Sequence, residues 1–128
     1  MKPAVNQIEY HPWLVQSTLL EYCQQNDIAV QAYGSLGTGD REMTQQFFGM
    51  PPVALAAEKY SVTPAQVLLK WALQKGCHVI PKSSRVERQK ENAQVFHFEI
   101  ADEDMSAIDN MHQNKRLAWK GKDPDAVA

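Results

Sequence analysis

Apolar and polar residues follow two different periods along this chain of 128 residues. Three short segments, residues 4–10, 28–33 and 78–81, are mostly apolar or alternate in part between apolar and polar positions, which predicts β-strands. Between them, apolar residues recur three and four positions apart, most clearly in residues 63–76, which predicts helices. Strands separated by helices indicate right-handed βαβ units and a parallel sheet, so the sequence predicts an α/β fold.

Residues that favour helix ends predict where five helices lie. Two capping boxes, Thr18 with Glu21 and Ser84 with Glu87, mark two of the N-termini, and Thr63 followed by a proline marks a third. The glycine-rich segment after the second strand is predicted to be a loop, because its glycines are typical of turns. The helices are expected at about residues 19–26, 52–60, 64–75, 85–92 and 102–112.

Composition and charge narrow the classes of protein. Hydrophobic residues make up 44% and charged residues 22%, which is typical of a soluble globular domain, and a net charge of −2 gives no reason to expect a nucleic acid or an anionic membrane as partner. No apolar run approaches the ~20 residues that span a bilayer, and the N-terminal residues have no signal-peptide character. Cys23 and Cys77 are expected to be reduced thiols in a cytoplasmic protein, and four scattered histidines predict no metal site.

The stretch "VIPKSSRVERQKEN", residues 79–92, is the strongest candidate site. A strand that ends here delivers Lys82 and Ser83 to the carboxyl edge of the sheet, where α/β proteins bind ligands. The N-terminus of the next helix points free N–H groups at the same place, which favours a phosphate. Arg88 lies on the same helix face as Asn92 and can pair with Glu91. The alternative is a solvated helix that a serine merely caps, and these residues alone favour neither interpretation.

Two further stretches are weaker candidates for a ligand site. In "AYGSLG", Tyr33 at a strand end can stack on a flat ring of a ligand. Glycines also occur in ordinary turns, however, and an ordinary turn is the simpler interpretation of this loop. In "VNQIEYHP", the amide of Gln7 can bond a carboxamide or a nucleobase. Tyr10 and His11 are neighbours on an extended chain and point to opposite faces, so we do not expect them to act on one reacting atom.

Taken together, "NQIEYHP", "AYGSLG" and "IPKSSRVERQKEN", in this order and at these intervals, resemble the second half of the aldo-keto reductase family. The segment "EIADEDMSAID" is similar to the helix that follows the last barrel repeat in that family. The resemblance implies that the three strands are the sixth, seventh and eighth of a (β/α)8 TIM barrel. Residues 1–128 would then be the C-terminal part of the reductase domain, with the barrel incomplete in this chain.

The resemblance also implies a bound cofactor, NADPH or NADP, and a small-molecule carbonyl substrate. Gln7 matches the residue that contacts the nicotinamide carboxamide, and Tyr33 matches the aromatic residue that stacks on the nicotinamide ring. Gly34 and Leu36 lie where the backbone of the family covers the pyrophosphate, although Gly34 replaces a serine often found there. Trp119 matches the C-terminal loop over the substrate.

The adenosine end of the cofactor is assigned in the same way. The resemblance places four residues around the 2′-phosphate, which implies NADPH rather than NADH: Lys82, Ser83, Ser84 and Arg88. Glu91 and Asn92 match residues that hold the adenine.

The catalytic Tyr, Lys, Asp and His of the family belong to the first half of the barrel, and their motifs do not occur in this sequence. We therefore assign no catalytic residue, and we expect that Met1 falls inside the fold of a truncated record, an incomplete gene model or a splice product. Three strands cannot close a barrel, so their inward side chains are expected to be uncovered. The alternative is a non-enzymatic remnant that acts as a nucleotide-binding or interaction module. An unrelated nucleotide-binding α/β domain would need three ordered motifs to coincide.

Overall fold

Three parallel strands form one sheet in the computed structural model, which describes residues 1–118. The strands are β1 (Val5–Glu9), β2 (Ala29–Tyr33) and β3 (Cys77–Val79), and they lie side by side in chain order. Both neighbouring pairs are parallel, with Gln7 beside Gln31 and Gln31 beside His78. The predicted α/β fold with a parallel sheet is confirmed.

Six helices within residues 1–118 accompany the sheet. Five of them lie where the sequence predicts helices, with no end shifted by more than three residues, and α2 was not predicted. Asp40 caps α2 by accepting hydrogen bonds from the N–H groups of Glu42 and Met43, but the preceding glycines hid this signal. The helices are α1 (Ser17–Gln25), α2 (Arg41–Gly49), α3 (Pro51–Tyr60), α4 (Pro64–Gln74), α5 (Val86–Ala93) and α6 (Asp102–Asp109).

The two faces of the sheet differ in how they are covered. Ile8, Val30 and Cys77 are buried against helices, as part of one hydrophobic core. On the opposite face Gln7 is exposed and donates to Oε1 of Gln31 at 2.6 Å, while Val5 remains 53% exposed. The exposure of this second face agrees with the expectation that three strands leave their inward side chains uncovered.

Helix α4 lies at the centre of the core. Eight of its eleven residues are buried, including the polar Gln66 and Lys70. Trp71 stacks on Tyr10 with ring centroids 4.9 Å apart and donates its indole N–H to Asp109 at 2.8 Å. The ammonium of Lys70 is 2.7 Å from Glu99, so the buried charge has a partner, as burial of a charge requires. Side chains on α4 therefore bond α6, through Asp109, and the segment before α6, through Glu99.

Only one of three predicted helix caps forms as the sequence suggests. The Thr63 side chain accepts from the N–H of Gln66, and the Gln66 side chain accepts from the N–H of Thr63, which completes a capping box. Helix α1 begins at Ser17, so Thr18 lies within its first turn and caps nothing. Helix α5 begins at Val86 and its N-cap is Arg85, so the predicted box between Ser84 and Glu87 is also wrong.

These two threonines allow a matched test of the caps. Thr63→Val is expected to lower the free energy of unfolding by about 1 kcal/mol, because an N–H at the start of α4 loses its acceptor. Thr18→Val is expected to change it by less than about 0.5 kcal/mol, since this exposed hydroxyl bonds no helix N–H group. Equilibrium unfolding in urea measures both variants, and equal losses would contradict the assignment of the cap.

Candidate functional site

A cleft of about 1230 Å³ lies at the carboxyl ends of β2 and β3. Tyr33, the last residue of β2, forms one part of its wall, and the glycine-rich loop that follows continues that wall. Residues 80–85, after β3, form the opposite side together with α5. The cleft therefore lies where parallel α/β sheets bind ligands.

The glycine-rich loop reaches its position through backbone conformations that favour glycine. Gly34 has a φ of +72°, and a Cβ there would lie 2.9 Å from Cγ2 of Thr38. Gly37 has a φ of +104°, and a Cβ there would meet the backbone of Thr44 at 2.8 Å. The Thr44 hydroxyl also donates to the carbonyl of Leu36 at 2.6 Å, which fastens the loop to α2. A serine in place of Gly34 would be strained in this loop.

The opposite wall of the cleft is basic. Lys82, Arg85 and Arg88 line it, and none of the three takes part in an ion pair within residues 1–118. Ser83 shapes the turn before α5, because its hydroxyl accepts from the N–H of Arg85 at 3.2 Å, and Gln89 donates to its carbonyl at 2.9 Å. Three cations without acidic partners on one wall suit an anionic ligand.

The far end of the same wall is fixed to the core through Glu91. The Thr63 hydroxyl donates to Oε1 of Glu91 at 2.9 Å, and the Gln66 amide donates to its carbonyl at 3.1 Å. The predicted pairing of Arg88 with Glu91 is therefore wrong, because Glu91 is held by the N-terminus of α4 instead. Arg88 lines the cleft and has no ion-pair partner in the part of the chain that the structure describes.

Nine of the ten residues predicted to bind the cofactor line this one cleft: Tyr33, Gly34, Leu36, Lys82, Ser83, Ser84, Arg88, Glu91 and Asn92. Gln7 does not line it, and lies instead on the open face of the sheet with Gln31 as its partner. Trp119 lies outside the described residues. The structure brings the nine residues together, as a shared ligand site requires, and their individual roles stay predictions.

Tyr10 and His11 do not share a site, as the sequence predicts. Tyr10 is fully buried against Trp71 on the helix side of the sheet, and burial raises the pKa of its hydroxyl. His11 packs on Phe47, with ring centroids 5.2 Å apart, and bonds Glu9. Two neighbouring residues therefore serve different parts of the core.

The sequence reasoning missed the role of Glu9, which is 2% exposed. Its Oε1 lies 2.8 Å from Nε2 of His11 and accepts from the N–H of Leu117, and its Oε2 accepts from the N–H of Ala118 at 3.2 Å. Burial alone would raise the pKa of this carboxyl, but the hydrogen bonds from His11 and the two backbone groups outweigh it and hold the pKa below its ordinary value of 4.5. The i, i+2 spacing of Glu9 and His11 was the available signal, since such residues share a face of an extended chain.

Other kinds of site are absent from the described part of the chain. None of the helices within residues 1–118 is long and apolar enough to cross a membrane. Nor do three or more His, Cys, Asp or Glu side chains in that range gather in a way that could hold a metal ion. The cleft is thus the main candidate for ligand binding.

Comparison with known proteins agrees with the resemblance of the motifs. Residues 1–113 match the profile of the Aldo/keto reductase family. An uncharacterized oxidoreductase of Bacillus subtilis, YtbE, is 42% identical over 98% of this chain and 41% of its own length. A zebrafish (Danio rerio) protein, aldo-keto reductase family 1 member A1-A, is 41% identical over 91% of this chain and 37% of its own length.

A solved structure leads to the same family. An aldo-keto reductase from a deep-sea metagenome library of the Medee basin superposes with a TM-score of 0.83 at 32% identity, covering 88% of this chain and 40% of that one. The chain spans about two-fifths of the length of the relatives that it matches. By its sequence profile, its relatives and its fold, the chain belongs to the aldo/keto reductase family.

Proposed function

We propose that this chain is the part of an NADPH-dependent carbonyl reductase that binds the adenosine 2′-phosphate of the cofactor. The observation that carries this proposal is the basic wall of the cleft, where Lys82, Arg85 and Arg88 have no acidic partners among residues 1–118. A phosphate monoester on the ribose supplies the charge that this wall lacks, and arginine can bond its oxygens with two parallel N–H groups. A ribose without the phosphate would leave the three cations unmatched.

The rest of the cleft fits the rest of the dinucleotide. Glu91, held by Thr63, and Asn92 lie beyond the cations and would hold the adenine. Across the cleft the backbone of Gly34 and Leu36 can approach a pyrophosphate closely, because no side chain at Gly34 intervenes. The ring of Tyr33 is half-buried at the sheet edge and offers a flat surface for the nicotinamide. We also propose that Gln7 reaches the carboxamide from the open face of the sheet.

When bound, the cofactor supplies hydride for the reduction of an aldehyde or ketone to an alcohol. The residues of this chain would bind it and orient the nicotinamide, and we assign the proton donor to none of them. We infer that residues 1–128 are the C-terminal part of the domain and contribute strands six to eight of the barrel. The exposed inner face of the sheet supports this inference, since in a closed barrel such a face is packed. The buried free thiols of Cys23 and Cys77 suit a cytoplasmic location.

A second function is favoured by one observation. Val5 and Ile80 are 53% and 43% exposed and lie at the two outer strands of the sheet. A chain that persisted alone with this surface would act as a nucleotide-binding or interaction module without catalysis.

The 2′-phosphate site can be tested with two fragments of the cofactor. We expect residues 1–128 to bind adenosine 2′,5′-bisphosphate at least about tenfold more tightly than 5′-AMP, since charge-assisted hydrogen bonds to one phosphate contribute about 1.5–3 kcal/mol. Isothermal titration calorimetry measures both affinities. 5′-AMP is the control, because it has the same adenine, ribose and 5′-phosphate and lacks only the 2′-phosphate. Equal affinity for the two ligands would refute the proposal.

A further inference from the structure

The last described segment of the chain crosses the carboxyl end of β1. We call residues 111–118 the C-terminal strap. Its first part is held by the loop after β1, because the N–H groups of Gln113 and Lys115 both donate to the carbonyl of Trp13, at 3.1 and 3.0 Å. The ammonium of Lys115 also lies 4.4 Å from the ring centroid of Trp13. Its second part ends at Ala118, which lines the cleft.

The second part of the strap is held by a different group. The N–H groups of Leu117 and Ala118 both donate to the Glu9 carboxylate, and neither donates to a backbone carbonyl within residues 1–118. Glu9 is the sheet neighbour of Tyr33, which also lines the cleft. The carboxylate thus links the wall of the cleft at Tyr33 to the strap at Ala118.

The Glu9 site accepts only a group with acceptors and no donors. Three N–H groups converge on the carboxylate: two from the backbone of the strap and one from Nε2 of His11. An ionised carboxylate accepts all three, whereas an amide with its oxygen in place of Oε1 would turn its NH2 group toward the N–H of Ala118. His11 is fully buried, and its Nδ1 has no hydrogen-bond partner within residues 1–118.

Gly34 brings the cleft loop onto the same pair. A Cβ built at Gly34 would lie 3.8 Å from Cγ of Glu9 and 4.0 Å from Cδ2 of His11. The position that a Cβ of residue 34 would occupy therefore faces the buried pair at ordinary van der Waals separation. The cleft loop thus lies next to the group that holds the strap.

We propose that Glu9 is a positioning residue, whose carboxylate fixes the end of the C-terminal strap to the rim of the cleft beside Tyr33. The hydrogen bonds of Glu9 support this anchor by themselves. Its role in placing the strap beside a bound nicotinamide rests on the proposed function. Loss of the carboxylate releases the strap at Leu117 and Ala118 but leaves the Trp13 contacts in place. The rim of the cleft beside Tyr33 then lacks a fixed wall.

Hydrogen exchange of backbone amides in the whole chain tests the anchor without any ligand. In Glu9→Gln, exchange at Leu117 and Ala118 is expected to accelerate roughly ten- to a hundredfold, as expected for the loss of hydrogen bonds to a charged acceptor. The amides of Gln113 and Lys115 serve as internal controls and should keep their rates. Uniform acceleration at all four amides would refute a local anchor.

A second variant, Glu9→Asp, separates the effect of the charge from the effect of the side-chain shape. Glu9→Asp keeps a group that only accepts but shortens it, whereas Glu9→Gln keeps the shape and loses the charge. We expect Asp to preserve more protection at Ala118 than Gln does, and the reverse order would show that packing alone matters. Should Glu9→Gln fail to fold, Leu117→Pro removes one donor from the strap and must release Ala118 in the same way; unchanged protection there would overturn the proposal.

A matched control addresses general loss of stability. Glu99→Gln removes the carboxylate that pairs with the buried Lys70 and that forms no ion pair or hydrogen bond with the strap, so it should leave exchange at Leu117 and Ala118 within about twofold of the wild type. The preference for adenosine 2′,5′-bisphosphate over 5′-AMP should survive in Glu9→Gln, because the basic wall lies on the opposite side of the cleft. A wild-type chain without that preference would refute the proposed function and leave the exchange test of the anchor intact.

Discussion

Residues 1–128 on their own are expected to give no NADPH-dependent turnover of an aromatic aldehyde above a protein-free blank. We assign no proton donor to this chain, and a positioned general acid is generally worth roughly 10²–10⁴ in rate. The preorganised polar groups that stabilise charge in the transition state would be missing as well. The inner face of the sheet is open to water at Val5 and Gln7, so a nicotinamide held at Tyr33 would be covered on one side only. Loss of NADPH absorbance measures the reaction.

The matched control restores the rest of the barrel. A fusion of this chain to the preceding part of a related reductase, joined just before β1, is expected to gain turnover with the same aldehyde. Turnover that follows the purified chain of 128 residues through successive columns would contradict the first expectation. A folded fusion that binds NADPH and shows no turnover would contradict the expectation that the preceding part of the barrel supplies the missing catalytic residues.

Replacement of Arg88 by alanine, in a complete barrel that contains this segment, is expected to weaken NADPH binding by roughly ten- to a hundredfold and to change NADH binding by less than about twofold. Arg88 lines the basic wall and has no ion-pair partner among the described residues, so its guanidinium is available to a phosphate. NADH lacks the 2′-phosphate and loses nothing at this position. Fluorescence titration with each cofactor measures the two dissociation constants.

Lys90 supplies the control for this variant. It lies on α5, carries the same charge and is exposed, but it does not line the cleft. Lys90→Ala should leave both cofactors within about twofold, because a charge outside the site is screened by salt. Equal losses of NADPH and NADH in Arg88→Ala would remove the 2′-phosphate assignment.

The elements that the sequence predicted well are those with a strong local signal. Thr63 and Pro64 mark the start of α4, and the helix begins at that point because both the cap and the proline favour it. Helix α2 was missed because it buries a single residue, Phe47, and presents a mostly polar sequence. The boxes at Thr18 and Ser84 failed because the same residue types are frequent in turns, and packing moved each helix start by one or two residues.

The candidate site was predictable where residues close in sequence build it. Lys82, Ser83 and Arg88 follow one strand and one helix start, so local geometry brings them to one wall. Glu9 was not predictable in the same way, because the backbone groups it binds at Leu117 and Ala118 are far away along the chain. The contact between Thr63 and Glu91 also joins two helices. Because of it, the Glu91 carboxylate bonds Thr63 and not Arg88, which sequence spacing had given as its partner.

Helix α5 differs from the other helices of residues 1–118 because it contains no buried residue. Apart from Glu91, which bonds Thr63, it carries exposed charges such as Arg88, whose substitution changes the electrostatic potential of the cleft at little expense in folding stability. A protein built in this way can exchange one cofactor preference for another through a few surface mutations. Selection for a different nicotinamide cofactor would therefore be expected to act first on this helix, and a library limited to its eight residues would be the economical place to look for such variants.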